Sequence, residues 1–199
     1  MEAFIKAVEI FALITGVAYV VAEILQKNWM WVVGIVTGVA CSVSFGIQQL
    51  WASMGLNIYY VFMSVWGLWQ WRKDSGKISA EGEKAIHLSR LGWKGLLWSI
   101  MAFVILTAAL VLLLEKLGDP LSLNDASVTV LSAIATVWLV KSYPGQWILW
   151  IIADILSTLL CARSGMVWMT VLYVAYTLSA VYGLYHWLKN GRYIEESDI

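Results

Sequence analysis

Asp154 stands near the middle of a long apolar run, roughly where a helix through that run would cross the centre of a bilayer. An acid at such a depth costs about 2.5–3.5 kcal/mol on insertion scales, so it needs a partner or a purpose. Trp147, Trp150, Asp154 and Thr158 recur at helical spacing and share one face, which joins indole planes to a single carboxylate. Two readings follow from the residues. One is a carboxyl group bonded to a hydroxyl on a neighbouring helix. The other is a ligand site, with the face of Trp holding a flat cation and the carboxylate supplying its counter-charge.

Other segments carry side chains of the same type. Asn57, Tyr60, Ser64, Gly67 and Trp71 form one stripe, and Tyr59, Met63, Trp66 and Gln70 form another, with Trp69 close by. Gln48 and Gln49 end the preceding apolar run. Near the C-terminus stand Tyr173, Tyr176, Ala180, Gly183 and Trp187, beside Ser179, Tyr182 and His186. Amides, hydroxyls and aromatic rings in this mixture suit a flat ligand bearing a sugar or an amide. The candidate ligand residues are therefore Gln49, Asn57, Tyr60, Trp66, Trp69, Gln70, Trp147, Trp150, Asp154, Tyr173, Tyr176 and Tyr182.

The same inventory argues against other chemistry. Cys41 and Cys161 lie in apolar runs with no CxxC spacing, and His87 and His186 are the two histidines, so no metal or haem site is expected and no cofactor. One acid and a distant histidine supply no nucleophile–base pair, so the chain is not expected to be an enzyme. Thirteen Lys and Arg balance thirteen Asp and Glu, which gives no basic surface for nucleic acid.

The elements that must position these residues are apolar helices. Of 199 residues, 61% are hydrophobic and 13% are charged, about half the usual charged share, with a mean hydropathy of +0.76. Crossing about 30 Å of hydrocarbon takes about 20 apolar residues in a helix, and seven segments are candidate spans: 4–25, 29–48, 56–71, 93–114, 127–141, 147–162 and 167–188, of which the third, fifth and sixth are short and are expected to extend or tilt. The fold class is an all-α polytopic membrane protein, with the lipid bilayer as its surroundings. Seven spans put the termini on opposite sides. Lys6, Lys116 and Arg163 fall on the N-terminal side and the ten other basic residues on the other, so the N-terminus is expected outside and the C-terminus in the cytoplasm. The polar stretch Arg72–Gly92 is then a cytoplasmic linker. Trp29, Trp31, Trp71, Trp93, Trp147 and Trp187 fall at the cytoplasmic boundary and Trp51 and Trp168 at the outer one, as an interfacial belt would. Gly34, Gly38 and Ser42 make a small-residue row suited to close helix packing.

A shift of 116 residues lays the second and third spans on the sixth and seventh without a gap, with eight identities in the 41 positions from Trp31 to Trp71. Val65-Trp-Gly-Leu-Trp-Gln-Trp71 meets Val181-Tyr-Gly-Leu-Tyr-His-Trp187, aromatic on aromatic throughout. The span at 93–114 has no counterpart. A 3+1+3 plan follows: three-helix repeats at 1–71 and 125–188 joined by a linker helix, with a parallel pseudo-two-fold along the membrane normal. Repeats of this kind belong to transporters that hold substrate between their halves.

The segments Gln48–Tyr60, Trp66–Trp71, Gln146–Asp154 and Tyr182–Trp187 together resemble the PnuC family of vitamin transporters, and the resemblance runs from the first span through Trp187. It implies a core similar to SWEET sugar transporters, residence in a bacterial inner membrane, and facilitated diffusion of nicotinamide riboside, a precursor for NAD biosynthesis, trapped by phosphorylation in the cytoplasm. It also implies a homotrimer. Many nicotinamide riboside members carry Asn where this chain has Asp154, and the Ala153-Asp154 pair is similar to the thiamine branch, so thiamine is the alternative cationic vitamin. A membrane receptor or assembly subunit that transports nothing is the alternative outside the family.

Overall fold

The computed structural model of the protein describes residues 2–49, 51–79, 86–116 and 122–193. Among them are seven helices: α1 (Glu2–Ile24), α2 (Trp29–Ile47), α3 (Trp51–Ser79), α4 (Trp93–Lys116), α5 (Ser122–Val140), α6 (Gln146–Arg163) and α7 (Val167–Asn190). Each expected span is a helix. Five are long and apolar enough to cross a membrane: α2, α4, α6, α7 and the Leu123–Val140 part of α5; the stretch Ile14–Ile24 of α1 is apolar but shorter. The apolar run of α3 is interrupted by Asn57, Ser64 and Gln70.

The expected linker at Arg72–Gly92 is corrected in part. Helix α3 continues to Ser79, and a short strand, β1 (Ile86–Leu88), precedes α4. Residues 80–85 of that linker and the side chain of Trp51 lie outside the described residues. A second short strand, β2 (Gly191–Tyr193), follows α7. Both cysteines are free thiols.

The described residues fall into two compact units, one within Met1–His87 and one within Leu88–Ser197. In the first, α2 packs on α1 and α3. The small-residue row is a contact surface there. A Cβ added at Gly34 would stand 2.6 Å from Ser64 Oγ, and one at Gly38 would stand 2.7 Å from Val61 Cγ2. Trp31 is fully buried, and its ring fills the gap left by Gly67, where a Cβ would come within 2.5 Å of the indole. Trp71 meets Trp31 edge-on at 5.1 Å and is capped in turn by His87, edge-on at 5.6 Å. The backbone of His87 is held by the Gln26 side chain: its N–H donates to Gln26 Oε1 at 2.7 Å, and Gln26 Nε2 donates to its carbonyl at 2.8 Å. Burial pushes the His87 imidazole down to about 4, against the opposing pull of Asp74, so it is neutral at neutral pH.

In the second unit α4 packs on α5, α5 on α6 and α6 on α7. Trp138 Nε1 donates to Ser99 Oγ at 3.0 Å, which joins α5 to α4. The Trp–Gly motif recurs: Trp147 is buried over Gly183, where a Cβ would stand 2.6 Å from the indole, and it meets Trp187 edge-on at 5.5 Å. The interfacial-belt expectation is thereby overturned for Trp31, Trp71, Trp147 and Trp187. These rings face a glycine or another indole inside their own unit and are buried. Trp29, Trp93 and Trp168 are exposed, as a belt requires.

Overpacking a closed contact costs about 1–3 kcal/mol. Gly67→Ala should therefore lower the thermal unfolding midpoint in detergent, because a rigid indole has to move. Gly55→Ala on the same helix, with nothing within 4 Å of the new Cβ, should leave the midpoint unchanged.

Candidate substrate site

Helix α6 has two distinct faces. Ile148, Ile152, Ile155 and Leu159 are exposed, and Gln146, Ala153, Asp154, Ser157 and Cys161 are buried on the opposite side, with Trp150 half-buried among them. An outer face of branched aliphatic residues suits lipid, and the inner face carries the polar groups. Asp154 is therefore turned inward.

The connection between α6 and α7 is short, so the two helices run antiparallel, and the Trp147–Gly183 contact sets their register. Seven residues on from Trp147 comes Asp154; seven back from Gly183 comes Tyr176. Asp154 is within electrostatic reach of both Tyr176 and Tyr173. Ser157 lies near Tyr173, and its own hydroxyl donates to the Ala153 carbonyl at 2.9 Å. The Tyr173 and Tyr176 rings meet at 6.2 Å. One carboxylate, two phenols and the Trp150 indole thus share one part of the second unit.

The remaining candidates are placed differently. Trp147 is on α6 but wedged into the Gly183 gap. Tyr182 is exposed and tilted over His186 at 5.9 Å. In the first unit, Asn57 and Tyr60 are half-buried, and Tyr60 is in electrostatic reach of Tyr19. Trp66 and Trp69 are exposed, and the Lys73 ammonium sits 5.8 Å from the Trp69 ring centroid. Gln70 donates to both Asp74 oxygens, at 3.0 and 3.3 Å. Gln49 is exposed just past α2 with φ +60°.

Sequence reasoning assigned no role to three residues that belong to these inner faces. Gln146 and Ser157 lie on the buried face of α6, and Glu23 is buried near the end of α1, beside Tyr19. The signal for Ser157 was its i+3 spacing from Asp154. Thr158, expected on the site face, instead donates to the Asp154 backbone carbonyl at 2.7 Å.

A bundle of apolar helices whose inner face carries a carboxylate among aromatic rings is a multi-pass membrane transporter in architecture, and the comparisons agree. The pattern of the nicotinamide mononucleotide transporter family matches residues 6–189. The chain belongs to that family, whose members are transporters and not enzymes. It is 22% identical to the nicotinamide riboside transporter PnuC of Escherichia coli K12, over 93% of this chain and 86% of that protein. It is 27% identical to the nicotinamide riboside transporter PnuC of Neisseria mucosa, over 87% and 77%. The crystal structure of the vitamin B3 transporter PnuC superimposes with a TM-score of 0.65 at 24% identity, covering 94% of this chain and 88% of that one, which establishes the fold.

Stacking of an aromatic heterocycle on an indole is worth about 1–3 kcal/mol. Trp150→Ala should weaken binding of a cationic heterocycle roughly five- to a hundred-fold. Trp93→Ala, at an exposed position, should leave binding unchanged. Titration of ligand against the remaining Trp fluorescence measures both.

Proposed function

We propose that the protein carries a cationic heterocyclic vitamin, nicotinamide riboside, across a bacterial inner membrane by facilitated diffusion. The observation that carries this reading is the Asp154 carboxylate, turned inward beside Tyr173 and Tyr176 with the Trp150 indole one helical turn away. A pyridinium ring presents a positive charge and two flat faces, and this set of groups complements both. Trp150, Asp154, Tyr173 and Tyr176 are the contacts on which the proposal rests first.

Charge separates the riboside from its phosphate ester. A mononucleotide brings a phosphate that calls for Arg or Lys. The basic residues of α6 and α7 are Arg163 and Lys189, near the helix ends and away from Asp154. With no Lys or Arg beside it on the described residues of α6 and α7, the Asp154 site disfavours a phosphate and suits the riboside, which is what the relatives' names specify.

Thiamine is the second reading. It too is a cationic heterocycle, and the acid at position 154, where many nicotinamide riboside carriers have Asn, is what favours it. In either case we propose an N-terminus outside and a C-terminus in the cytoplasm, from the three-against-ten split of basic residues. The three-helix repeats at 1–71 and 125–188, with the helix at 93–114 as linker, are the functional halves, and the assembly proposed from the family resemblance is a homotrimer.

Uptake into proteoliposomes tests the proposal. Labelled nicotinamide riboside should enter saturably, at the same initial rate with and without an imposed pH gradient. Uptake of thiamine alone would replace the substrate. A rate that follows the gradient would replace diffusion with proton coupling, and no uptake of either would favour a receptor.

A further inference from the structure

The side chain of Gln146 is fully buried, and neither its Oε1 nor its Nε2 has a hydrogen-bond partner among the described residues. The Trp150 Nε1 is in the same condition. Buried donors and acceptors are almost always satisfied, so a carboxamide with both ends open needs a reason. Gln146, Trp150 and Asp154 follow one another at intervals of four residues, on the inner face already described. They form a row: a carboxamide, an indole N–H and a carboxylate.

The internal repeat supplies a control. Shifted by 116 residues, Gln146 falls on Met30, Trp150 on Gly34 and Asp154 on Gly38. The first unit builds the same Trp-in-glycine contact with this apolar row, and Met30 is as fully buried as Gln146. Packing at this position is therefore met by a thioether of similar length. The carboxamide is not demanded by the fold.

We infer that Gln146, together with the Trp150 N–H, is a hydrogen-bonding subsite for the sugar hydroxyls of the ligand, at the opposite end from the cation held by Asp154. The inference rests on the cationic nucleoside reading of the Asp154 site. Eight residues of helix rise about 12 Å, and the reach of the two side chains leaves the span of a heterocycle plus a pentose. A carboxamide offers donors and an acceptor together, which matches vicinal hydroxyls. Gln146 discriminates between substrates, and the ligand reaches it when the helices part during transport.

The test compares nicotinamide riboside with 1-methylnicotinamide, which has the same cationic ring and no ribose. Affinities for both are measured on the same preparation of wild type and of Gln146→Met, the residue that the sister unit uses. Because the readout is a ratio within one protein, loss of folded material does not affect it. The wild type should prefer the riboside, and Gln146→Met should reduce that preference about ten-fold, with affinity for 1-methylnicotinamide unchanged. A preference equal to wild type in Gln146→Met overturns the assignment of Gln146 alone. A wild type that binds neither compound contradicts the cationic nucleoside reading beneath it.

Discussion

An indole ring seated in the gap left by a glycine on the neighbouring helix sets the geometry of each unit. In the first unit Trp31 sits over Gly67; in the second Trp147 sits over Gly183. Two antiparallel helices have no intrinsic register, because apolar faces slide past one another at little cost. A rigid bicyclic ring in a notch that admits no Cβ removes that freedom. Every pair further along then follows. Three residues on from Trp31 and three back from Gly67, Gly34 meets Ser64. Seven on from Trp147 and seven back from Gly183, Asp154 is brought level with Tyr176, and three further steps bring Ser157 level with Tyr173. The depth and facing of the carboxylate are consequences of a contact about two helical turns away.

The two units share this frame and fill it differently. Along the row set by the notch, the first unit places Met30, Gly34 and Gly38, and the second places Gln146, Trp150 and Asp154. Small residues in the first let α2 and α3 approach until Ser64 and Val61 close the space. Polar and aromatic residues in the second sit among side chains that leave several of their donors open. On the proposed function, the first copy of this frame serves packing and the second recognition. A buried carboxylate is destabilising until something positive arrives, and a cationic ligand relieves that cost when it binds.

The helices were legible because hydropathy and length decide a membrane span. The repeat was legible because the Trp and Gly of the notch are the residues least replaceable within it. What the sequence concealed is which way an indole points. In a bilayer both faces of a helix are apolar, so periodicity does not separate a Trp that anchors at the interface from one buried in a glycine gap. The interfacial expectation fails at Trp31 and Trp147 for that reason, and the glycines opposite them, Gly67 and Gly183, are the missing half of the signal. Polar helix is equally hard to see: residues 72–79 extend α3 with no apolar stripe to announce it. Gln146 gave no signal as the first residue of its helix, since its burial comes from tertiary packing. Of the candidate residues on α6 and α7, Trp150, Tyr173 and Tyr176 lie around Asp154 while Trp147 fills the Gly183 gap and Tyr182 is exposed, and Gln70 and Trp69 on α3 meet Asp74 and Lys73, four residues on, in contacts that no hydropathy pattern shows.

On the proposed function, the charge of Asp154, and not merely its size, holds the ligand. Asp154→Asn keeps the shape and the hydrogen bonds and deletes the charge. The decisive measurement is the affinity of wild type and Asp154→Asn for nicotinamide riboside and for its reduced, uncharged form, each by calorimetric titration. The account predicts that Asp154→Asn folds as well as wild type, loses about 1–3 kcal/mol of affinity for the cationic riboside, and loses much less for the reduced one. Unchanged affinity for the cation would contradict it, and would leave Asp154 as a helix-packing residue.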